Sequence, residues 1–473
     1  MRTVSIPALA AFLVILPQSA QAAGLDGAAM RWPFAVPFVG LLLTIAIAPL
    51  AFPKVWHAHY GKIAAAWALV ALAAIAGHAG VAAMLAAFIH AMLAEYLSFI
   101  VLLFALYTVA GGIVVSGTIR GTPWNNIAVL ALGTGMASIV GTTGAAMILI
   151  RPLIRANAAR RHNAHVIVFF IILVANVGGA LSPLGDPPLF VGFLNGVDFF
   201  WTTRNIWLQT AIVSGLLLSV FAVFDFWRFR SETTGGPAEQ PEPVRIRGLL
   251  NIILIAAIIG SILLSANWRP GVDLEVFGTR LELQNLVRDA ALLVIALLSL
   301  WLTPDEHRTT NDFSWEPIRE VAKLFAAIFT AIIPVLAALD AGRRGAFAWL
   351  LSAVTERDGT PHEVAYFWYT GLMSAFLDNA PTYLLFFKLA GGNPDVLMGE
   401  LSGALAAISM GAVYMGALTY IGNAPNLMVA AIATERGIRM PGFFGYMLWA
   451  GAVLIPLFLL LTVLPVAPML RLQ

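Results

Sequence analysis

The sequence predicts an all-α polytopic membrane protein. About ten transmembrane helices follow a signal segment, as two inverted five-helix repeats that each carry a re-entrant hairpin and a broken helix. Three observations predict this fold. First, 60% of the 473 residues are hydrophobic and only 11% charged, against roughly 45–50% apolar and about 25% charged in a soluble domain, so the chain cannot hide its apolar surface in water. Second, apolar stretches of spanning length recur along it. Third, the two halves match each other at a constant offset. The 27 basic and 25 acidic residues leave a net charge of +2, with no polybasic excess to hold nucleic acid. The absence of cysteine excludes thiolate metal sites, iron–sulfur clusters and thiol catalysis.

The first element is Arg2 ahead of an apolar run, Val4 to Leu16, and then Ala20-Gln21-Ala22. This is the pattern of a cleaved signal peptide over residues 1–22, with an uncleaved anchor as the alternative. Apolar spans follow near 34–52, 63–83, 95–117, 166–199, 206–227, 249–266, 285–302, 324–339, 401–433 and 443–466. Lys54, Lys62, Arg151, Arg155, Arg160, Arg161, Arg228, Arg230, Arg245, Arg247, Arg436 and Arg439 fall on the inner side if both termini of the processed chain lie outside. Such a signal ahead of a helical bundle fits a bacterial inner membrane. Residues 228–248, rich in Pro, Gly and charge, form a cytoplasmic linker between a first repeat, 23–227, and a second, 249–473.

Stretches 125–150 and 364–390 cannot cross without reversing the charge pattern, so both are expected to be re-entrant hairpins, which occur only where protein or a wet cavity surrounds them. The repeat is read from Gly179-Ala-Leu-Ser-Pro-Leu-Gly-Asp-Pro-Pro188, which matches Gly416-Ala-Leu-Thr-Tyr-Ile-Gly-Asn-Ala-Pro425 at an offset of 237 (416 less 179) with five identities in ten. A weaker match aligns Gly135–Ser138 with Gly371–Ser374 at 236 and pairs Thr142-Thr143 with Asp378-Asn379. Gly185, Pro187 and Pro188 in one half, and Gly422 and Pro425 in the other, are the expected helix breaks.

Unwinding at mid-depth exposes carbonyls and half-helix ends, a setting for ion binding. The candidate binding residues are Asp378, Asn379, Asp186, Thr142, Thr143, Asn423 and Asn426, which symmetry brings to one place. An ionised carboxylate at the bilayer centre costs at least about 2.5–3.5 kcal/mol and needs a compensating cation or proton. Asp378 and Asp186 are therefore the candidate sodium ligands, with sodium and protons competing for the same oxygens. Alternatives stand beside this: both acids are also plausible helix caps, and the Thr and Asn residues also suit interhelical hydrogen bonds. Glu95, Asp225 and Asp340 fall near span ends, where interfacial water is expected to solvate them, while Arg151 and Lys388 are expected to snorkel from the hairpin ends. No Ser-His-Asp order, zinc-type His spacing or phosphate-cradling Gly loop marks an enzyme, and no cofactor is expected.

The segments GTTGAAMILIRP (Gly141 to Pro152), VANVGGALSPLGDPPLF (Val174 to Phe190), SAFLDNAPTYLLFF (Ser374 to Phe387) and YIGNAPNLM (Tyr420 to Met428) resemble the ion-transporter superfamily. Within it the likeness is to the D-type sodium/proton antiporters and the related citrate-transporter group. The resemblance implies two hairpins in an inverted repeat, a scaffold that forms a homodimer, and a transport domain that moves like an elevator in the lipid membrane. The dicarboxylate branch carries Ser-Asn-Thr at both tips, whereas this chain has Gly-Thr-Thr and Leu-Asp-Asn. The expected function is sodium/proton antiport. The alternatives are a proton- or sodium-coupled carrier of citrate or another small organic anion, and a membrane enzyme or scaffold that kept the duplicated architecture.

Overall fold

Backbone polar groups in a bilayer find no water, so long apolar runs fold as helices that satisfy their own N–H and C=O groups. The computed structural model describes residues 25–232, 242–357 and 359–463. It is helical almost throughout, with two two-stranded ribbons among the described residues. The signal segment expected over residues 1–22 lies outside the described residues.

The first half runs α1 (Val36–Ala51), α2 (Pro53–Ala79) and α3 (Val81–Ala110), then the hairpin of α4 (Pro123–Val140) and α5 (Thr142–Ala156). An interrupted helix follows, α6 (Ala164–Leu173) and α7 (Pro187–Leu194), and then α8 (Trp201–Phe229). The same order recurs after the linker. α9 (Leu249–Asn267), α10 (Leu283–Leu302) and the pair α11 (Glu316–Ala331) and α12 (Ile333–Asp340) precede a hairpin of α13 (Glu363–Leu377) and α14 (Asn379–Leu389). A second interrupted helix, α15 (Ser402–Met415) and α16 (Ala424–Glu435), leads to α17 (Phe443–Val463).

Among the described residues, eight helices are long and apolar enough to cross a membrane, or nine if α11 and α12, bent by 41°, form one span. Pro334 at the start of α12 accounts for that bend. The remaining expected crossing, 401–433, is split between α15 and α16, so it contains no single helix of spanning length. The protein is integral to the membrane and sits in lipid. Val223, Ile253, Leu297 and Leu448 are 74, 65, 60 and 71% exposed on its helices, a surface that hydrocarbon covers at no cost and water does not. By contrast α6 is buried on every side from His165 to Leu173, as a helix apolar all round requires.

Helices α1, α2, α3, α9, α10 and α11 pack on one another as one group. The hairpins, the interrupted helices, α8 and α17 form the other, with α13 against α15, α14 against α7 and α16 against α5. The end of the linker is more ordered than its composition suggests, because β2 (Arg245–Arg247) pairs antiparallel with β1 (Val114–Ser116) just after α3. On the other ribbon, Phe277 and Gly278, both at positive φ (50° and 79°), turn β3 (Asp273–Val276) into β4 (Thr279–Glu282).

Candidate functional site

The two interrupted helices are built alike. After α6 the chain forms a 3-10 turn, Val177–Leu181, becomes extended at Ser182 and again at Asp186 (φ −144°, ψ 142°), and resumes as α7. After α15 it forms a 3-10 turn, Gly416–Leu418, is extended at Thr419 and at Asn423 (φ −152°, ψ 137°), and resumes as α16. Pro187, Pro188 and Pro425 occupy the first positions of the resumed helices, where a missing N–H costs nothing. They restart the helices; the unwinding itself lies upstream, from Val174 and from Gly416.

Gly185 and Gly422 lie within the non-helical segments. A Cβ on Gly185 would stand 2.1 Å from the Gly179 carbonyl oxygen, and one on Gly422 would stand 2.5 Å from that of Gly416. The obstacle is backbone in both cases, so it cannot rotate away. Gly185→Ala is therefore expected to destabilise by about 1–3 kcal/mol and to lower the melting temperature of the detergent-solubilised protein. An unchanged melt would show that this close approach does not matter.

Each break is tied to its hairpin. The Ser182 hydroxyl donates to the Ser138 carbonyl and the Thr419 hydroxyl to the Ala375 carbonyl. At the tip of the first hairpin Gly141 has φ 82° and ψ 152°; at the tip of the second, Asp378 has φ 66° and ψ 143°. This corrects the pairing drawn from sequence. Backbone geometry matches Gly141 with Asp378 and Thr142 with Asn379, at the same offset of 237 as the breaks, so the counterpart of Asp378 is a glycine and not Thr142.

Asp186 begins α7 yet makes no capping bond with its side chain; a cap role does not account for it. Its carboxylate is 1% exposed as a residue and turns to three neutral donors. Thr142 Oγ1 donates to Oδ1 at 3.0 Å, Asn423 Nδ2 to Oδ1 at 2.9 Å, and Asn379 Nδ2 to Oδ2 at 2.5 Å. Both hairpin tips and both breaks thus meet at one carboxylate. The Asn379 Oδ1 is buried without a partner, an acceptor lacking its donor.

Asn426 joins one step removed. Its Oδ1 accepts from Asn176 Nδ2 at 2.7 Å while its own amide donates to the Gly416 and Thr419 carbonyls, both at 2.9 Å. Asn176 was missed from sequence. It lies in the first break, fully buried, and its Oδ1 also accepts from Asn423 at 3.4 Å. The available signal was its standing as the one polar side chain in Ile171-Ile-Leu-Val-Ala-Asn176.

Asp378 is half-buried. Its Oδ1 accepts from the Ala380 N–H at 3.3 Å, so it does cap α14, and the residue that follows it, Asn379, is the one that bonds Asp186. Thr143 is half-buried and stands outside the hydrogen-bond network of the described residues. Among the described residues no Arg, Lys or His bonds to this cluster, and no group of three or more His, Cys, Asp or Glu is placed to hold a metal ion.

Two charged residues depart from expectation. Asp225 is fully buried and not solvated at an interface. It accepts from Arg160 Nη2 at 2.5 Å and Nη1 at 3.2 Å, from Asn126 at 3.0 Å, and bonds His165 Nε2 at 2.8 Å. The network fastens α4 and the entry to α6 onto α8. Arg151 does not snorkel: it is 8% exposed and its Nε bonds Asp312 Oδ2 at 3.2 Å. Partial burial works against the Asp312 charge, but hydrogen bonds from Arg436 and Arg151 outweigh it and hold that carboxyl below its ordinary range.

Residues 27–466 match the family described as "Putative citrate transport". A protein of Synechocystis sp. named as an uncharacterized transporter is 23% identical over 339 residues, covering 66% of this chain and 70% of that protein.

Proposed function

The chain belongs to the citrate-transport family and is a membrane transporter, and on that premise we propose that it exchanges sodium for protons. Asp186 and Asp378 are the shared ligands of this reading, with Asn379, Thr142, Thr143, Asn423 and Asn426 as neutral donors in and around the pocket.

The observation that carries it is the backbone of Asp378. A φ of 66° with ψ 143° lies by the region that glycine alone adopts freely, and holding another residue there costs about 1–3 kcal/mol. The first hairpin places Gly141 at the same bend. An acid that persists at a glycine position beside a second buried acid is explained by what its carboxylate does. The unpartnered Asn379 Oδ1 supplies a further oxygen, and the lack of a basic partner among the described residues leaves the two acids for a cation or protons to neutralise. An empty, doubly charged pocket is costly to carry across the bilayer, so movement occurs when sodium or protons are aboard; that coupling is antiport.

Elevator movement fits the packing. Part of the seam between the two helix groups is apolar, with Val191, Phe325, Phe329, Ala380, Pro381 and Leu384 around a cavity of about 10 Å³, a surface on which packed helices can slide.

The family description favours a second reading, cation-coupled carriage of citrate or another organic anion, with the helix N-termini at the hairpin tips and breaks facing its carboxylates. Vesicles with an acid interior separate the two. Sodium added outside is expected to alkalinise the lumen without citrate; a response that requires citrate transfers the assignment to the second reading. Asp378→Gly is the diagnostic variant. It should melt higher, by about 1 kcal/mol from strain relief less a few tenths for the cap, and lose exchange. Retained exchange rules out the Asp378 carboxylate as a ligand.

A further inference from the structure

On the helix group that lacks the acid pocket, a groove of about 510 Å³ lies between α3, α10 and α11. Ile100 and Phe104 of α3, Leu293 and Leu300 of α10, and Ala322 of α11 wall it. Leu293 and Leu300 stand on one face of α10, so the groove runs about 10 Å along that helix. Trp315, which also lines it, stacks on Phe104 with ring centroids 5.7 Å apart and planes 20° apart, and that contact holds two of the walls together.

Two side chains set its depth in the membrane. Arg319 lies in the first turn of α11, and Trp301, 80% exposed, is one residue from the end of α10. Indole and guanidinium groups at helix ends stand at headgroup level. The groove therefore begins at the headgroups and runs into the hydrocarbon.

Of the residues that line it, Arg319 alone is charged. It is exposed, and its guanidinium has no hydrogen-bond or ion-pair partner among the described residues. Glu316 of the same helix turns instead to α2, where it accepts from the Tyr60 hydroxyl at 3.2 Å. An unanswered cation at the mouth of an apolar groove suits an amphiphile with an anionic head. A second copy suits it less: in a two-fold contact the same patch meets itself, which brings Arg319 to a lining that contains no acid.

We infer that this groove holds one chain of an anionic phospholipid, with the phosphate on Arg319 and the acyl chain along Ile100, Leu293 and Leu300. The guanidinium donates charge-assisted hydrogen bonds to the phosphate oxygens. The site does not depend on which ion the Asp186 pocket carries.

The test is native mass spectrometry of the full-length protein, stripped of lipid in detergent and titrated with dioctanoyl phosphatidylglycerol or dioctanoyl phosphatidylcholine. The parent is expected to bind its first phosphatidylglycerol about fivefold more tightly than phosphatidylcholine, and Arg319→Gln to erase that preference. Ala322→Trp fills the groove and should weaken both lipids about tenfold. Arg319 is exposed and Ala322 half-buried, so both variants are expected to melt like the parent before lipid is added; Leu293→Trp, farther along the groove, replaces Ala322→Trp if that variant melts lower. Equal affinity for the two lipids in the parent, or a preference that survives Arg319→Gln, overturns the assignment. So does unchanged binding in the filled groove, or a dimer mass that the filling variant converts to monomer without lipid, which would give the groove to a second copy.

Discussion

Asp186→Asn is expected to abolish sodium-driven proton movement while the protein still folds. The carboxylate gathers Thr142, Asn379 and Asn423, one group from each hairpin tip and one from the opposite break. Asparagine has the same shape and keeps one acceptor, so the tips stay near each other; what it lacks is charge. Hydrogen bonds and ion contacts to a charged group contribute about 1.5–3 kcal/mol each, and every 1.4 kcal/mol is tenfold in affinity. Loss of cation affinity of about 10- to 140-fold follows from one such contact, and the proton that the carboxylate exchanged has no place to bind. Lumenal pH and sodium uptake in vesicles are the measurements. Exchange within twofold of the parent would remove Asp186 from the mechanism.

Arg160→Met is expected to produce the largest loss of stability. The guanidinium makes two bonds to a fully buried carboxylate, Asp225, and removing one partner of a buried pair costs about 3–5 kcal/mol because the other charge is left uncompensated. His165 and Asn126 still reach Asp225, which places the expected value near the lower end, about 3 kcal/mol. The double variant Arg160→Met with Asp225→Leu removes both charges and should recover most of the loss. Thermal melts of the three proteins in one detergent decide it. If the double variant melts no higher than the single one, the stranded charge is not the cause.

The hairpins show how closely a sequence can locate an element. They were expected at 125–150 and 364–390 and form at 123–156 and 363–389, because the basic residues at their ends, the apolar runs between them and the odd count of crossings leave few arrangements. The breaks were legible from Gly185 and Gly422, whose lack of a side chain the backbone there demands. The prolines misled, since the same residue type both ends a helix and begins one well. The pairing of hairpin tips was also misread by one residue: Thr142 resembles Asp378 in polarity, but the quantity that repeats is the positive φ at Gly141 and Asp378, which composition does not reveal. Asn176 and Asp225 were hidden for a different reason. Each lies far along the chain from most of its partners, with Asn176 bonded to Asn426 and Asp225 to Asn126, Arg160 and His165.

The sequence by itself determined that this chain lives in a membrane, which stretches are helical and which short polar segments interrupt them, though helices expected to start at 63, 95 and 324 begin at Pro53, Val81 and Glu316. Those properties follow from transfer of local side chains out of water and from backbone bonds made within one segment. Only the tertiary structure decided that Asp186 is the point where four segments meet, that Asp378 occupies a glycine's conformation, and that Asp312 restrains two arginines. Each of these depends on contacts between residues up to 237 positions apart, such as Asp186 with Asn423, and the local pattern at either end carries no record of the other.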